Sequence, residues 1–380
     1  MRRKYIDWLR IFGIILLFPY HTFRVFDPGE ANYVENAAKS AFGQTFMAAV
    51  WPWFMPLLFL VAGISTWYAL QKRDGRHFTR ERVMRLLVPL VLGILFIVPI
   101  QGYVARLQEG TLQGGYLNYL FTQFLPDFSD ISGYHGTFTP AHLWFILYLF
   151  VISMVLLPIF LLVVRKRAKQ GIGGFGRLFE KGWFLFLLFI PLTISEGLPD
   201  LGGKNPFFFG LYYVIGFFIA SSDGAWKTID RIRWPALAVL AVTIPGYFLL
   251  RNIAAGKDDF AWQSIIWALV RNLYGITALL CMLAFAGRYL NRGGKALDYM
   301  NQAAFPVYIL HQSVMMAVAY FVVQWNIGTA PKMIAIMAVT LALCVALFEV
   351  CRHVPPLRVL LGIKKVKKPT VRQAEISAMN

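Results

Sequence analysis

Charge is scarce in this chain of 380 residues: Asp, Glu, Lys and Arg together make up only 15%. A soluble globular domain carries about a quarter, so an ordinary soluble fold is excluded. Acid is scarcer than base, with 19 Asp and Glu against 37 Lys and Arg, for a formal net charge of +18. There are three cysteines, Cys281, Cys344 and Cys351, each inside an apolar run; this excludes a disulfide framework and a paired-cysteine metal site. Long polar tracts are missing, and intrinsic disorder with them. The apolar runs do not alternate with period two, which argues against a membrane β-barrel.

What fills the sequence instead is hydrophobic: 58% of residues are apolar by type and 16% are aromatic, and the mean hydropathy is +0.57. A helix crossing a bilayer takes about 20 apolar residues. Ten such segments can be placed, at 6–23, 45–70, 86–103, 141–164, 183–198, 206–222, 234–250, 262–287, 303–325 and 332–351. The expected fold class is therefore all-α, a polytopic membrane helix bundle of about ten transmembrane helices. The break between the fifth and sixth rests on Glu196, Pro199, Asp200, Gly202 and Pro206. Met1-Arg2-Arg3-Lys4 before the first apolar run mimics a signal peptide, but no small-residue cleavage site follows, so it reads as an uncleaved first span.

The net positive charge could suggest nucleic acid, but a nucleic-acid binder gathers basic residues on one polar face. Here they sit between apolar runs, so no nucleic-acid partner is expected and membrane lipid is. On the ten-span map, 28 Lys and Arg fall on one side and 7 on the other, counting Lys332 at the outer edge of the last span, with Arg10 and Arg271 inside spans. By the positive-inside rule both termini are then cytoplasmic. The outer segment 105–140 reads as a long loop and the basic, Gly-rich stretch 165–181 as a linker. Residues 362–380, with Lys364, Lys365, Lys367 and Lys368, read as a mobile basic tail, leaving 1–361 as the membrane domain.

Polar groups within a span are costly and mark function more often than in a soluble helix. Asp7 and Arg10 are three apart and so share a helix face, where they can pair. Arg10 and His21 are eleven apart, near three full turns, which puts both on one stripe about 16 Å apart along the axis. Pro19 can kink the helix end just before His21. His21 is the kind of group that serves as a general base near neutral pH. Equally, Asp7 and Arg10 could snorkel to one interface and His21 simply mark the other.

Arg82 and Arg85, a turn apart at the cytoplasmic mouth of the third span, suit a multiply phosphorylated ligand, since each guanidinium chelates phosphate oxygens. Positive-inside charge and lipid headgroups would account for them as well. Trp144, two residues after His142, fits an interface aromatic. His311, deep in the ninth span and three residues after Tyr308, needs a partner or a wet cavity. Glu349 is expected to pair with Arg352. His135 and His142, with Asp127 and Asp130 nearby, match no metal-site spacing, and no metal is expected.

Taken in order, Asp7-x-x-Arg10, Arg10-x10-His21, Arg82-x-x-Arg85 followed by Pro89, and Tyr308-x-x-His311 resemble the acyltransferase 3 family of integral membrane acyltransferases over nearly the whole chain. The resemblance implies acyl-coenzyme A as donor, succinyl-CoA or acetyl-CoA, and a periplasmic or cell-envelope glycan as acceptor, an osmoregulated periplasmic glucan foremost. It implies a catalytic set of His21, Arg10 and Asp7. Arg82, Arg85, Tyr308 and His311 would serve the donor, and His142 and Trp144 the acceptor. The setting it implies is the bacterial inner membrane. The competing classes are a proton-coupled transporter or flippase of a glycan or lipid intermediate, with His21 and His311 binding protons or substrate, and a structural or sensory membrane protein with no chemistry. The oligomeric state is not written in the sequence.

The charge asymmetry predicts the labelling of single cysteines placed at Gly115 and Gly173 in a background without native thiols. On intact cells an impermeant maleimide should modify Gly115→Cys and spare Gly173→Cys; the reverse pattern would overturn the orientation.

Overall fold

The computed structural model describes residues 3–171 and 173–363. Most of the expected basic tail, 364–380, lies outside the described residues. Among the described residues the chain is all-helical, with one isolated bridge between Leu201 and Lys204 as its only β pairing.

Among the described residues seven helices are long and apolar enough to cross a membrane. They are α1 (Lys4–Val25), α2 (Ala41–Leu70), α3 (Gly75–Glu109), α9 (Arg233–Ala254), α10 (Trp262–Tyr289), α11 (Lys295–Val322) and α12 (Thr329–Cys351). Two bent pairs raise the number to as many as nine: α4 (Ala141–Val155) with α5 (Leu157–Lys169), bent by 54°, and α7 (Pro206–Ser221) with α8 (Asp223–Arg231), bent by 102°. The shorter apolar helix α6 (Gly182–Glu196) lies between them. Each of the ten expected segments thus falls on a helix.

Three local expectations change. Pro19 sits within an unbroken α1. The presumed linker is largely helical, since α5 carries Arg165, Lys166, Arg167 and Lys169, and a further short helix spans Gly174–Leu178. The outer loop is also less open than expected. The third helix continues to Glu109, and 116–124 is helical, with Tyr119 donating to the Gly136 carbonyl at 3.1 Å. Packing supplied what composition could not: Tyr103, Tyr116, Tyr119, Phe124 and Phe138 meet edge-on or tilted and give this segment a small core.

Burial separates a centre from a rim. In its most apolar window α2 is 78% buried, whereas α9 is 17% and α12 28% buried. Side chains such as Val242, Leu249, Ile334 and Val350 stand exposed on those rim helices, an apolar belt that suits lipid and not water. The most extensive contact in the bundle joins α2 to α7. It is possible because both helices carry glycine at the crossing: a Cβ on Gly63 would lie 1.9 Å from the Tyr213 carbonyl oxygen, and one on Gly216 would lie 2.1 Å from that of Leu60. Small residues at such crossings let membrane helices approach closely.

Gly63→Ala should therefore force α2 and α7 apart and lower the thermal midpoint of the purified protein, at a cost on the overpacking scale of about 1 to 3 kcal/mol. Gly173→Ala, with open space around its position, should leave the midpoint unchanged in the same fluorescence melt.

Candidate active site

The site is assembled on α1, whose two ends meet different neighbours. Near its start, Arg10 pairs with Asp7 at 3.4 Å and donates to Ser65 Oγ on α2 at 3.3 Å, so the expected Asp7–Arg10 pair forms. Three turns later His21 is half-buried, makes no hydrogen bond with any described residue, and packs its ring 5.2 Å from that of His311 on α11. His142 lies 5.1 Å from His311 on another side. Three histidines that are far apart in sequence form one cluster. No group of three or more His, Cys, Asp and Glu side chains among the described residues is arranged to hold a metal ion.

His142 is fully engaged. Its Nε2 donates to the Ile309 carbonyl at 2.8 Å, and its Nδ1 accepts from Gln101 Nε2 at 3.0 Å. Gln101 donates also to Ser313 Oγ at 2.9 Å, and Ser313 in turn to the Ile97 carbonyl at 2.8 Å. Tyr308 closes the knot by donating its hydroxyl to the His142 carbonyl. Tyr308 and His142 thus fasten the start of α4 to α11, and neither of those polar groups is left for a ligand. Gln101 went unread in the sequence; a glutamine two residues after Pro99 in an apolar run was the signal available.

Trp144 stands apart from the histidines. Its half-buried ring packs against Phe209 at 5.1 Å and Tyr148 at 5.5 Å, with the Lys204 ammonium 5.8 Å from its centre. His135 pairs with Glu109 at 2.8 Å in the outer segment. At the far end of α12, Glu349 pairs with Arg352 at 2.9 Å, as expected, and accepts from Tyr299 at 2.7 Å.

The two arginines expected to act side by side diverge. Pro89 has no N–H to offer the Arg85 carbonyl and crowds it, and the helix widens into a π turn over Val83–Leu87 just before it. The wider turn separates Arg82 from Arg85. Arg82 reaches inward to Thr66 Oγ1 at 2.8 Å, and Thr66 shares a 2.6 Å hydrogen bond with Tyr213 across the glycine-tight crossing of α2 and α7. Arg85 faces an open cleft of about 370 Å³ with Arg73, His77, Arg80, Glu81 and Met84. Glu81 pairs there with both Arg73 and Arg85. Beside the cleft, hydrogen bonds from the His77 backbone and ring hold the exposed Asp74 carboxyl below its usual range, and the same Asp74 caps the helix start.

The acyltransferase 3 family, an acyltransferase domain, matches residues 3–349. The chain belongs to this family. Over 401 residues it is 18% identical to glucans biosynthesis protein C of Salmonella typhi, covering 100% of this chain and 98% of that protein. Its identity to glucans biosynthesis protein C of Escherichia coli strain K12 / DH10B is also 18%, over 392 residues, with 97% and 96% covered. No solved structure matches the chain. Family and helices together make this chain a multi-pass membrane acyltransferase.

The divergence of the arginines predicts different stability effects. Arg82→Ala removes a charge-assisted bond to Thr66 and should destabilise by about 1 to 2 kcal/mol. Arg85→Ala, in the open cleft, should stay within about 0.5 kcal/mol of the wild type. Denaturation of the detergent-solubilised variants, side by side, checks this; equal losses would contradict the inward role of Arg82.

Proposed function

We propose that this chain is an integral-membrane O-acyltransferase of the bacterial inner membrane. It moves a succinyl or acetyl group from cytoplasmic acyl-coenzyme A to a hydroxyl of a periplasmic or envelope glycan, an osmoregulated periplasmic glucan foremost. In this reading the ten helical segments are ten spans, both termini are cytoplasmic, residues 1–361 form the membrane domain and the rest a basic tail.

The observation that carries the reading is the position of His21. It sits on the same stripe of α1 as the Asp7–Arg10 pair and has no hydrogen bond to any described residue, while its ring lies against His311. An imidazole held this way can take the proton of an acceptor hydroxyl as the oxygen attacks the thioester carbon. A histidine that itself carries the acyl group is the alternative chemistry on the same ring. Arg10 lies between the two ends of the bundle and supports the donor path or the negative charge that develops on the carbonyl oxygen.

The donor end is the basic cleft. Arg85, with Arg73 and Arg80, offers guanidinium forks to the donor's phosphates, which would compete with Glu81 for Arg73 and Arg85. Arg82 contributes by tying this mouth to Thr66 and Tyr213. Tyr308 and His142 hold α4 to α11 beside the histidine cluster, through the Tyr308 hydroxyl on the His142 carbonyl and the His142 ring on the Ile309 carbonyl. Trp144 beside Lys204 gives a glycan an aromatic face with a neighbouring cation.

His21→Gln keeps a polar side chain and lacks the base. Acyl transfer to a glycan acceptor should fall about 100-fold to 10,000-fold, with acyl-CoA binding retained in isothermal titration. A near wild-type rate would remove His21 from the chemistry.

A further inference from the structure

His142 and His311 lie side by side, yet their partners force opposite tautomers. A carbonyl oxygen only accepts, so the ring nitrogen facing it must carry the hydrogen. In His142 that nitrogen is Nε2, 2.8 Å from the Ile309 oxygen, and Nδ1 is taken by Gln101. In His311 it is Nδ1, 2.6 Å from the Tyr308 oxygen one turn back on the same helix. His311 Nε2 is therefore a bare lone pair, and it is fully buried without a partner. An unmet buried acceptor is costly and calls for a reason.

The rings packed on His311 narrow that reason to one. Phe18, 6.2 Å away, has no polar hydrogen. His142 has spent both nitrogens, and the Tyr308 hydroxyl is committed to the His142 carbonyl. His21, at 5.2 Å, is the neighbouring ring whose N–H is uncommitted.

We propose that His311 Nε2 accepts a proton from His21 as His21 takes up the acceptor's, so that the two histidines form a relay. The inference rests on reading His21 as the base of an acyl transfer. In the forward step the acceptor oxygen bonds to the acyl carbon while its proton passes to His21, and the opposite N–H of His21 gives its proton to His311 Nε2. As the carbon–sulfur bond breaks, the same protons return in reverse, and the departing thiolate leaves as a thiol. His21 and His311 end as they began. His311 acts through His21 and is a positioning residue of the reaction.

Two measurements test this, one independent of turnover. In protein labelled with ¹⁵N-histidine and held in nanodiscs, His311 should show a protonated Nδ1 and a bare Nε2, and the Nε2 resonance should move on His21→Gln. A protonated Nε2, or one indifferent to His21, overturns the relay whatever the enzyme's activity. The second follows thiol release from acetyl-CoA and succinyl-CoA with a glucose oligosaccharide as acceptor. His311→Asn keeps a donor for the Tyr308 carbonyl and lacks Nε2. Its kcat should fall about 10-fold to 100-fold, less than loss of the base itself, with donor KM and melting midpoint unchanged. His311→Ala should regain rate with imidazole and not with pyrazole, which has the same shape and is a far weaker base. Rescue by both, or a wild-type rate for His311→Asn while His21→Gln is dead, overturns the relay and leaves His21 as base. An active His21→Gln overturns the base itself.

Discussion

Inside a bilayer a polar atom has no water to turn to, so each carbonyl, hydroxyl and amide must be met by another part of the protein. This chain meets the constraint most densely around the middle of α11. Tyr308 and Ile309 offer carbonyls to two different histidines, the Tyr308 hydroxyl closes on a third carbonyl, and Gln101 and Ser313 carry the network on to α3. Three helices are fixed to one another by these bonds. Not every buried polar atom there is matched, Gln101 Oε1 being one that is not, and the open nitrogens of His21 and His311 fall at the point where α1, α4 and α11 converge.

The same α1 links this histidine cluster to the opposite end of the bundle. There Arg3 donates to Tyr68 on α2, lies over Trp226 on α8 and pairs with Asp223. The glycine-tight crossing of α2 and α7 stands between, and through Thr66 and Tyr213 it holds Arg82. Rim helices α9 and α12 pack chiefly on α10 and α11 and turn most of their apolar surface outward. The bundle thus separates a rigid centre, which carries the polar chemistry, from a skirt facing lipid.

Much of the fold was legible because hydropathy reports directly on the bilayer: every expected span falls on a helix, and neighbours in sequence, Asp7 with Arg10 and Glu349 with Arg352, pair as their spacing requires. The site was legible in its parts and not in its assembly. His142 and His311 belong to helices that the sequence cannot bring together, and nothing local tells that one is saturated and the other bare. Arg82 and Arg85 misled for a different reason: α-helical spacing was assumed across a stretch that Pro89 widens. The basic stretch 165–181 looked like a linker by composition, but four of its cations ride on the end of α5, whose apolar start decides its conformation.

That π turn has a consequence for how the chain can change by insertion and deletion. A π turn is in effect one residue too many for the α-helical path, so the third helix holds a length difference in reserve. Removing a single residue between Val83 and Leu87 would let the helix close into regular α geometry with the turns on either side left near their present orientation, whereas a deletion in a regular α stretch turns everything before it by about 100° about the axis. The basic mouth would keep its relation to the histidine cluster while Arg82 and Arg85 returned to α-helical spacing. The divergence of the two arginines is thus set by backbone length at one place, a quantity that substitution alone leaves untouched.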